Sequence, residues 1–183
     1  MKEAPSSRPQ GRGLRVAVVR ARFNPGIVDG LSEGAEGALT QMGVAHVVVM
    51  DAPGAFELPL AAGAAAASGR FDAVVALGAV IRGDTDHYEH IAREAAAGLQ
   101  RTALDTGVPV GFGVLTCATE AQAVERSRPG PGNKGAEAAR AAVALALTLR
   151  SFRRPARPQR SRRGPERTQR RRKSRKAHAT RGR

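Results

Sequence analysis

The sequence predicts a three-layer α/β/α domain built on a four-stranded parallel sheet. Four short apolar runs, rich in β-branched residues, recur between residues 13 and 152, and stretches with helical spacing lie between them. Near-continuous apolar runs are typical of strands that are buried on both faces, as in parallel sheets. Strands that alternate with helices imply right-handed crossovers, which place helices on both faces of the sheet.

The four predicted strands are residues 14–19, 46–50, 73–81 and 108–115. Val and Ile fill much of each run, and these side chains pack well on a pleated surface. In a parallel sheet the carboxyl ends of all strands meet at one edge, and ligands bind outside that edge. The loop after each strand is therefore the first place where functional residues are expected.

Helices are predicted between the strands and at the end of the domain. Apolar residues recur at helical spacing in residues 27–39, 91–103 and 134–149, and residues 58–67 form a short alanine-rich stretch. With one more helix after the fourth strand, the element order is β-α-β-α-β-α-β-α-α. This order is flavodoxin-like in outline, and the sequence contains no internal repeat.

The net charge of +14 is confined to the C-terminal end of the chain. Residues 151–183 contain 15 Lys and Arg and a single acid, whereas residues 1–150 contain 15 basic and 15 acidic residues. This balance excludes a uniformly basic nucleic-acid-binding domain. We expect a polar arm at 1–12, a folded domain at 13–152 and an Arg-rich tail at 153–183. The arm and the tail are expected to be disordered, because neither has enough apolar surface to offset the entropy cost of ordering.

Composition also excludes several classes of protein. Cys117 is the single cysteine, so neither a disulfide framework nor a cysteine-based zinc site is expected. The start of the chain lacks the apolar core of a signal peptide, and no apolar stretch approaches the roughly 18 residues of a membrane span. We therefore expect a protein of the reducing cytoplasm that has no membrane partner.

The loop after the third predicted strand carries the strongest functional signal. Gly83 permits a ligand to approach the backbone, and Asp84 and Thr85 are expected to start a helix whose free N–H groups would bind an anion. His87 would then lie in the first turn, where an imidazole can transfer a proton beside that anion. On the loop alone, an ordinary N-cap followed by an exposed histidine is the alternative. His87 and His90 have helical spacing, but without a third ligand no metal site is expected.

Aromatic and charged residues follow the other strands. Phe23 and Phe56 are placed to stack on a planar heterocycle, or to anchor their loops against the core. Glu57 would complement a helix dipole or accept hydrogen bonds from substrate hydroxyl groups. Arg126 and Lys134 flank a Gly- and Pro-rich turn, where they would bind phosphate or remain solvated surface charges. Each of these signals alone leaves both interpretations open.

Taken together, these residues lie in sequence blocks that resemble one enzyme family. The blocks have the order and spacing found in 6,7-dimethyl-8-ribityllumazine synthases, and the resemblance covers about residues 13–152. The blocks are Arg22-Phe23-Asn24, residues 53–59 (PGAFELP), 78–88 (GAVIRGDTDHY), 108–116 (VPVGFGVLT), 120–126 (EAQAVER) and 132–135 (GNKG). The resemblance implies that residues 13–152 form a catalytic domain.

The resemblance implies an enzyme of riboflavin biosynthesis. The family condenses 5-amino-6-(D-ribitylamino)uracil with 3,4-dihydroxy-2-butanone 4-phosphate, and it releases 6,7-dimethyl-8-ribityllumazine, inorganic phosphate and two molecules of water. An amine attacks the ketone to give an imine, phosphate is eliminated, and a second amine closes the ring. The resemblance implies neither a metal nor an organic cofactor.

The resemblance also implies a role for each matched residue. His87 would be the proton donor. The pyrimidine and its ribityl chain would be held by Phe23, Ala55, Phe56, Glu57, the backbone of Ala79, Val80 and Ile81, and Phe112 from a neighbouring subunit. The butanone phosphate would be bound by Asp84, Thr85, Arg126 and Lys134. Asp84 would have to use its backbone, because its carboxylate would repel the phosphate.

Because the family shares its site between subunits, the resemblance implies a homo-oligomer. Family members assemble as pentamers, and some join twelve pentamers into a 60-subunit shell. The turn between Arg126 and Lys134 has the short length of shell-forming relatives, but Pro129 and Pro131 replace their usual residues. Proline fixes φ and removes an N–H donor, so the free pentamer and the shell both stay open.

Two other classes of function remain as alternatives. One is a relative that binds lumazine or riboflavin without making it, and the other is a polyanion-binding protein that uses the basic tail. His87, Thr85 and Arg126 favour the enzyme over both. The tail is longer and more basic than the family's ending. Its irregular Arg- and Pro-rich composition favours a passive solubilising extension over a specific binding segment.

Overall fold

Within residues 11–153, which the computed structural model describes, the chain forms one sheet of four parallel strands in the order β2-β1-β3-β4. The strands are β1 (Arg15–Ala21), β2 (His46–Ala52), β3 (Ala73–Ile81) and β4 (Val110–Cys117). Strand β1 lies between β2 and β3, and its last pair with β3 is Arg20 with Leu77. The predicted four-stranded parallel sheet is confirmed.

Five α-helices in the same residues cover the two faces of the sheet. They are α1 (Pro25–Gln41), α2 (Leu58–Ala67), α3 (His87–Thr106), α4 (Glu120–Ser127) and α5 (Lys134–Arg153), and a single 3-10 turn (Ala55–Glu57) leads into α2. Helices α1, α4 and α5 pack on one face, and α2 and α3 pack on the other. The three-layer α/β/α arrangement is therefore also confirmed.

Strand β1 shows why the apolar runs are continuous rather than alternating. Its side chains point alternately to the two faces. Val16 and Val18 pack in the core beneath α1 and α5, whereas Ala17 and Val19 pack in the core beneath α2 and α3. All four are fully buried. A strand covered on both faces has no solvent-facing position that would select a polar residue.

The start of α3 differs from the sequence prediction. Asp84 and Thr85 were expected to begin this helix, and that expectation was wrong, because both lie in the loop before it. Helix α3 begins at His87 with Asp86 as its N-cap. The Asp86 carbonyl accepts a 3.0 Å hydrogen bond from the Glu89 N–H, which closes the first turn. The free N–H groups of the helix start therefore lie at His87 rather than at Thr85.

Helices α1 and α5 cross closely, with a glycine at the point of contact. Gly135 lies against the main chain of α1, and a Cβ added there would collide with the carbonyl group of Leu31. Asn133, just before α5, is 2% exposed. Its Nδ2 donates hydrogen bonds to the carbonyls of Gly30 at 2.9 Å and Ser127 at 2.7 Å. The amide thus ties α1 and α4 to the start of α5.

Most of the two predicted terminal segments lies outside the described residues. The polar arm predicted at 1–12 is described only from Gly11 onward, and the tail predicted at 153–183 is described only at Arg153, the last residue of α5. Their predicted disorder is therefore untested. In the described part of the chain, no helix combines the length and the apolar character needed to cross a membrane.

Candidate active site

A cleft of about 630 Å³ lies at the carboxyl edge of the sheet. It forms where the loops after β1 and β2 meet the end of β3 and the start of α3. Eight of the residues predicted from sequence line it, namely Phe23, Ala55, Phe56, Glu57, Ala79, Val80, Ile81 and His87. A hollow of about 670 Å³ at the opposite edge contains none of the predicted residues. The carboxyl edge is thus where the candidate side chains converge.

The loop between β1 and α1 presents Phe23 to the cleft. The ring is 72% exposed, so packing in the core does not account for it. Asn24 follows with φ 56° and ψ 56°, a left-handed conformation that Asn adopts more readily than most residues. The Asn24 Nδ2 donates a 2.9 Å hydrogen bond to the carbonyl oxygen of Ala79 in β3. The loop is therefore attached to the strand that forms the neighbouring wall.

The turn after β2 places Phe56 and Glu57 on another wall of the cleft. Leu58 is fully buried and anchors the turn, while Phe56 is 56% exposed. A Cβ added at Gly54 would lie 3.0 Å from Glu57 Oε2 and 3.7 Å from the ring of Phe23. The carboxylate and the Phe23 ring therefore flank the same glycine, and a side chain at that position would enter the space between them.

The end of β3 and the start of α3 supply backbone groups and an imidazole. Ala79 is buried, whereas Val80 and Ile81 are half-buried at the cleft. His87 is the first residue of α3, where N–H groups lack helical partners and the helix dipole is positive. The Asp86 side chain does not accept a hydrogen bond from this first turn. An imidazole thus lies beside N–H donors that suit an anion.

The residues predicted to bind phosphate do not line the cleft of the single chain. Asp84 and Thr85 are exposed in the loop before α3. Arg126 is exposed on α4, and its Nη1 donates a 2.9 Å hydrogen bond to a main-chain carbonyl one turn earlier. Lys134 Nζ lies 2.7 Å from Glu137 Oε2 on α5. None of these four residues therefore belongs to the lining of the cleft.

Phe112 also lies outside the cleft. It belongs to β4, at the edge of the sheet, and pairs with Ala76 of β3. Residues two apart on a strand share a face, and Val114 packs with α2 and α3. Phe112 therefore lies on the α2 and α3 side of the sheet, where it is 46% exposed. Its ring is therefore not part of the cleft of its own chain.

Four further residues line the cleft that sequence reasoning did not assign to the site: Asn24, Gly54, His90 and Ile91. Asn24 belongs to one of the matched sequence blocks. Its residue type could have indicated a special loop conformation, because asparagine tolerates a left-handed backbone and here directly precedes Pro25. His90 was considered only as a metal ligand, although its spacing of three from His87 already placed both imidazoles on one helical face. Within residues 11–153 no group of three or more His, Cys, Asp or Glu is arranged to hold a metal ion.

Comparison with known protein families identifies one that fits this fold and cleft. The family model for 6,7-dimethyl-8-ribityllumazine synthase matches residues 13–150. The matched range contains all four described strands and every residue of the cleft. It confirms the resemblance that the sequence blocks had indicated. The chain therefore belongs to the 6,7-dimethyl-8-ribityllumazine synthase family, a family of riboflavin-biosynthesis enzymes.

Proposed function

We propose that the chain condenses 5-amino-6-(D-ribitylamino)uracil with 3,4-dihydroxy-2-butanone 4-phosphate to give 6,7-dimethyl-8-ribityllumazine, phosphate and water. One observation carries the proposal. Four separate segments converge on one cleft and bring together an aromatic face, a carboxylate and an imidazole. Cys117 is buried and forms no disulfide, which suits the reducing cytoplasm in which we place the reaction.

The apolar walls of the cleft suit the pyrimidine substrate. The exposed face of Phe23 is available to stack on a planar heterocycle. The backbone of residues 79–81 offers hydrogen-bonding groups to the edge of the ring. Glu57 accepts hydrogen bonds from the ribityl hydroxyl groups, and Gly54 beside it leaves room for the chain. A different segment of the chain thus contacts each part of the substrate: the face of the ring, the edge of the ring and the ribityl chain.

His87 suits the proton transfers of the reaction. Loss of water to form the imine requires a proton on the departing oxygen, and the second water leaves in the same way at ring closure. An imidazole in the first turn of α3 can give and take these protons while the phosphate lies near the helix start. Holding both substrates in one cleft lowers the barrier further, because the reacting groups are already oriented.

We place Phe112 in the active site of a neighbouring subunit. The support is an exposed ring on an edge strand, together with Leu60 on α2 and Leu104 on α3, which are 80% and 72% exposed. Large exposed apolar side chains on the same side of the sheet favour a contact surface there. Helix α2 also packs closely against α3 of the same chain, where a Cβ added at Gly98 of α3 would lie 2.7 Å from Pro59 of α2.

The mass of the purified chain in solution tests the shared site. Five chains of 19.2 kDa give a pentamer of roughly 100 kDa, and sixty give a shell of roughly 1 MDa. Light scattering distinguishes the two, and either result supports a site built by two subunits. A fully active species of 19.2 kDa contradicts it.

Formation of lumazine from the two substrates is the direct test of the proposed reaction. The full chain is mixed with both compounds, and lumazine fluorescence and released phosphate are followed together. We expect one phosphate per lumazine, at a rate well above that of mixtures without protein or with boiled protein. Binding of the pyrimidine with no lumazine formed above these controls would contradict the proposal and favour a binding protein of the same family.

Arg126→Ala is expected to raise the KM for the butanone phosphate by about 10-fold or more, because a guanidinium forms strong hydrogen bonds with phosphate. The KM for the pyrimidine is expected to stay near the wild-type value. Arg128→Ala is the matched control, since this exposed arginine pairs with Glu125 one turn away. Steady-state kinetics with each substrate varied in turn gives both constants. Equal increases in the two constants would make Arg126 a structural residue.

Deletion of residues 154–183 is expected to leave lumazine synthesis intact, because residues 11–153 contain both cores and the cleft. The deleted segment carries 14 Lys and Arg and one acid. Binding to a nucleic acid should therefore weaken and lose its steep dependence on salt. Activity assays and binding at two salt concentrations measure both effects. Loss of synthesis on truncation would show that the tail contributes to the active site.

A further inference from the structure

We propose that Asn24 is a positioning residue of the pyrimidine site and that its side-chain amide sets the distance between Phe23 and the end of β3. The inference rests on the proposed function and deepens it. It assigns a role to a residue that touches the cleft but carries none of the roles inferred above. The argument combines the backbone of Asn24, its hydrogen bond and the two walls that the bond connects.

The backbone of Asn24 is held in an uncommon conformation. Among residues 11–153 it is the single non-glycine residue with positive φ. Conformations of this kind cost free energy and persist where the surrounding structure requires them, often at functional sites. The Asn24 carbonyl accepts hydrogen bonds of 3.0 Å from the N–H groups of Ile27 and Val28, and these bonds close the first turn of α1. Helix α1 therefore fixes the main chain of Asn24.

The side chain of Asn24 continues the sheet where β1 leaves it. The ladder between β1 and β3 ends at the pair of Arg20 and Leu77. Successive backbone groups of a strand point alternately to its two sides, so Ala79 is the next residue whose carbonyl faces the β1 side. Asn24 Nδ2 donates its 2.9 Å hydrogen bond to that carbonyl. The amide takes the place of a main-chain donor that β1 no longer supplies.

This bond joins two walls that the proposed function assigns to the same heterocycle. Phe23 precedes Asn24 directly and offers its ring to the face of the pyrimidine, whereas Ala79 begins the backbone segment that meets the pyrimidine edge. The two walls are 55 residues apart in sequence. Because Phe23 is 72% exposed, core packing does not hold its ring in place. The Asn24 amide is the contact that keeps face and edge at a constant separation.

Asn24→Gly tests this role, because glycine adopts the left-handed conformation without strain and lacks the side chain that carries the amide. We expect the KM for the pyrimidine to rise about 10-fold, the effect of losing one positioned hydrogen bond. The KM for the butanone phosphate should stay near the wild-type value, since the start of α3 is unchanged. Asn24→Asp tolerates the same backbone but offers no donor to the Ala79 carbonyl at neutral pH. Its pyrimidine KM should rise further than that of the glycine variant.

Ser68→Ala is the matched control at the opposite edge of the sheet. Ser68 Oγ donates a 2.6 Å hydrogen bond to the Ala65 carbonyl and accepts one of 3.2 Å from the Arg70 N–H, so this variant also loses hydrogen bonds between a side chain and the main chain. Both of its KM values should match the wild type. If Asn24→Gly raises both KM values alike, or lowers only the melting temperature, Asn24 is a structural residue and the inference is wrong.

Hydrogen–deuterium exchange separates this inference from the proposed function. In the free protein, the peptide that covers residues 22–28 should exchange faster in Asn24→Gly than in the wild type and in Ser68→Ala. If the wild-type protein makes no lumazine, the proposed function fails, yet faster exchange still supports the attachment of the loop by Asn24. Unchanged exchange overturns the inference whether or not the protein makes lumazine.

Discussion

His87→Ala is expected to lower kcat by at least about 10-fold while the size of the assembly stays the same. The imidazole lies in the first turn of α3, at the cleft, where the departing oxygens of the proposed reaction need protons. Alanine is a good helix former, so the helix itself should persist. Turnover under saturating amounts of both substrates, together with light scattering, measures the two quantities.

His46→Ala is the matched control for this experiment. His46 is exposed at the beginning of β2, on the amino edge of the sheet, and its ring stacks on Phe71 with centroids 6.4 Å apart. The same substitution there should cost a little stability and leave kcat unchanged. A His87→Ala protein that keeps the wild-type kcat would remove His87 from the mechanism. A loss of assembly would show that the residue acts through structure.

Gly135→Ala is expected to lower the free energy of unfolding by about 3 kcal/mol. The added methyl group would enter the space of the Leu31 carbonyl group in α1. Main-chain atoms cannot move aside as a flexible side chain does, so α1 and α5 would have to separate. That movement would also disturb the hydrogen bonds of the buried Asn133 to Gly30 and Ser127. Denaturant unfolding monitored by circular dichroism measures the loss.

Gly37→Ala is the control, because Gly37 is exposed in α1 and no atom lies within 4 Å of a Cβ added there. Alanine is the better helix former by about 1 kcal/mol, so this variant should unfold at the same or a higher denaturant concentration. The change at the crossing of α1 and α5 and the change at an exposed position of α1 should thus have effects of opposite sign on stability. Equal destabilisation by both would mean that close packing at Gly135 is not the cause.

The elements of the fold were predictable because they depend on local periodicity. Both faces of β1 are buried, and its unbroken run of apolar residues indicates this burial directly. The segments that surround the cleft were predictable for a related reason. Loops that follow parallel strands must emerge at one edge of the sheet, so the sequence alone predicts that Phe23, Phe56 and His87 lie at the same edge.

The start of α3 was not predictable to the residue. Asp84 and Thr85 are both common N-cap residues, but Asp86 is the one whose carbonyl begins the helical hydrogen bonds. Three successive residues have similar capping ability, so the path of the chain between β3 and the helix decides which of them becomes the N-cap. Tertiary structure therefore placed the helix N-terminus beside His87.

By itself, the sequence determined the order of strands and helices, the edge at which the loops meet and the residue types available there. Only the tertiary structure decided which of them share one cleft. It placed β1 beside β3, although β2 lies between them in sequence, and so brought Asn24 to Ala79 across 55 residues. It also left Phe112, Arg126 and Lys134 outside the cleft. Hydrogen-bonding groups so distant in sequence meet only through the order of strands, which local patterns of apolar residues do not encode.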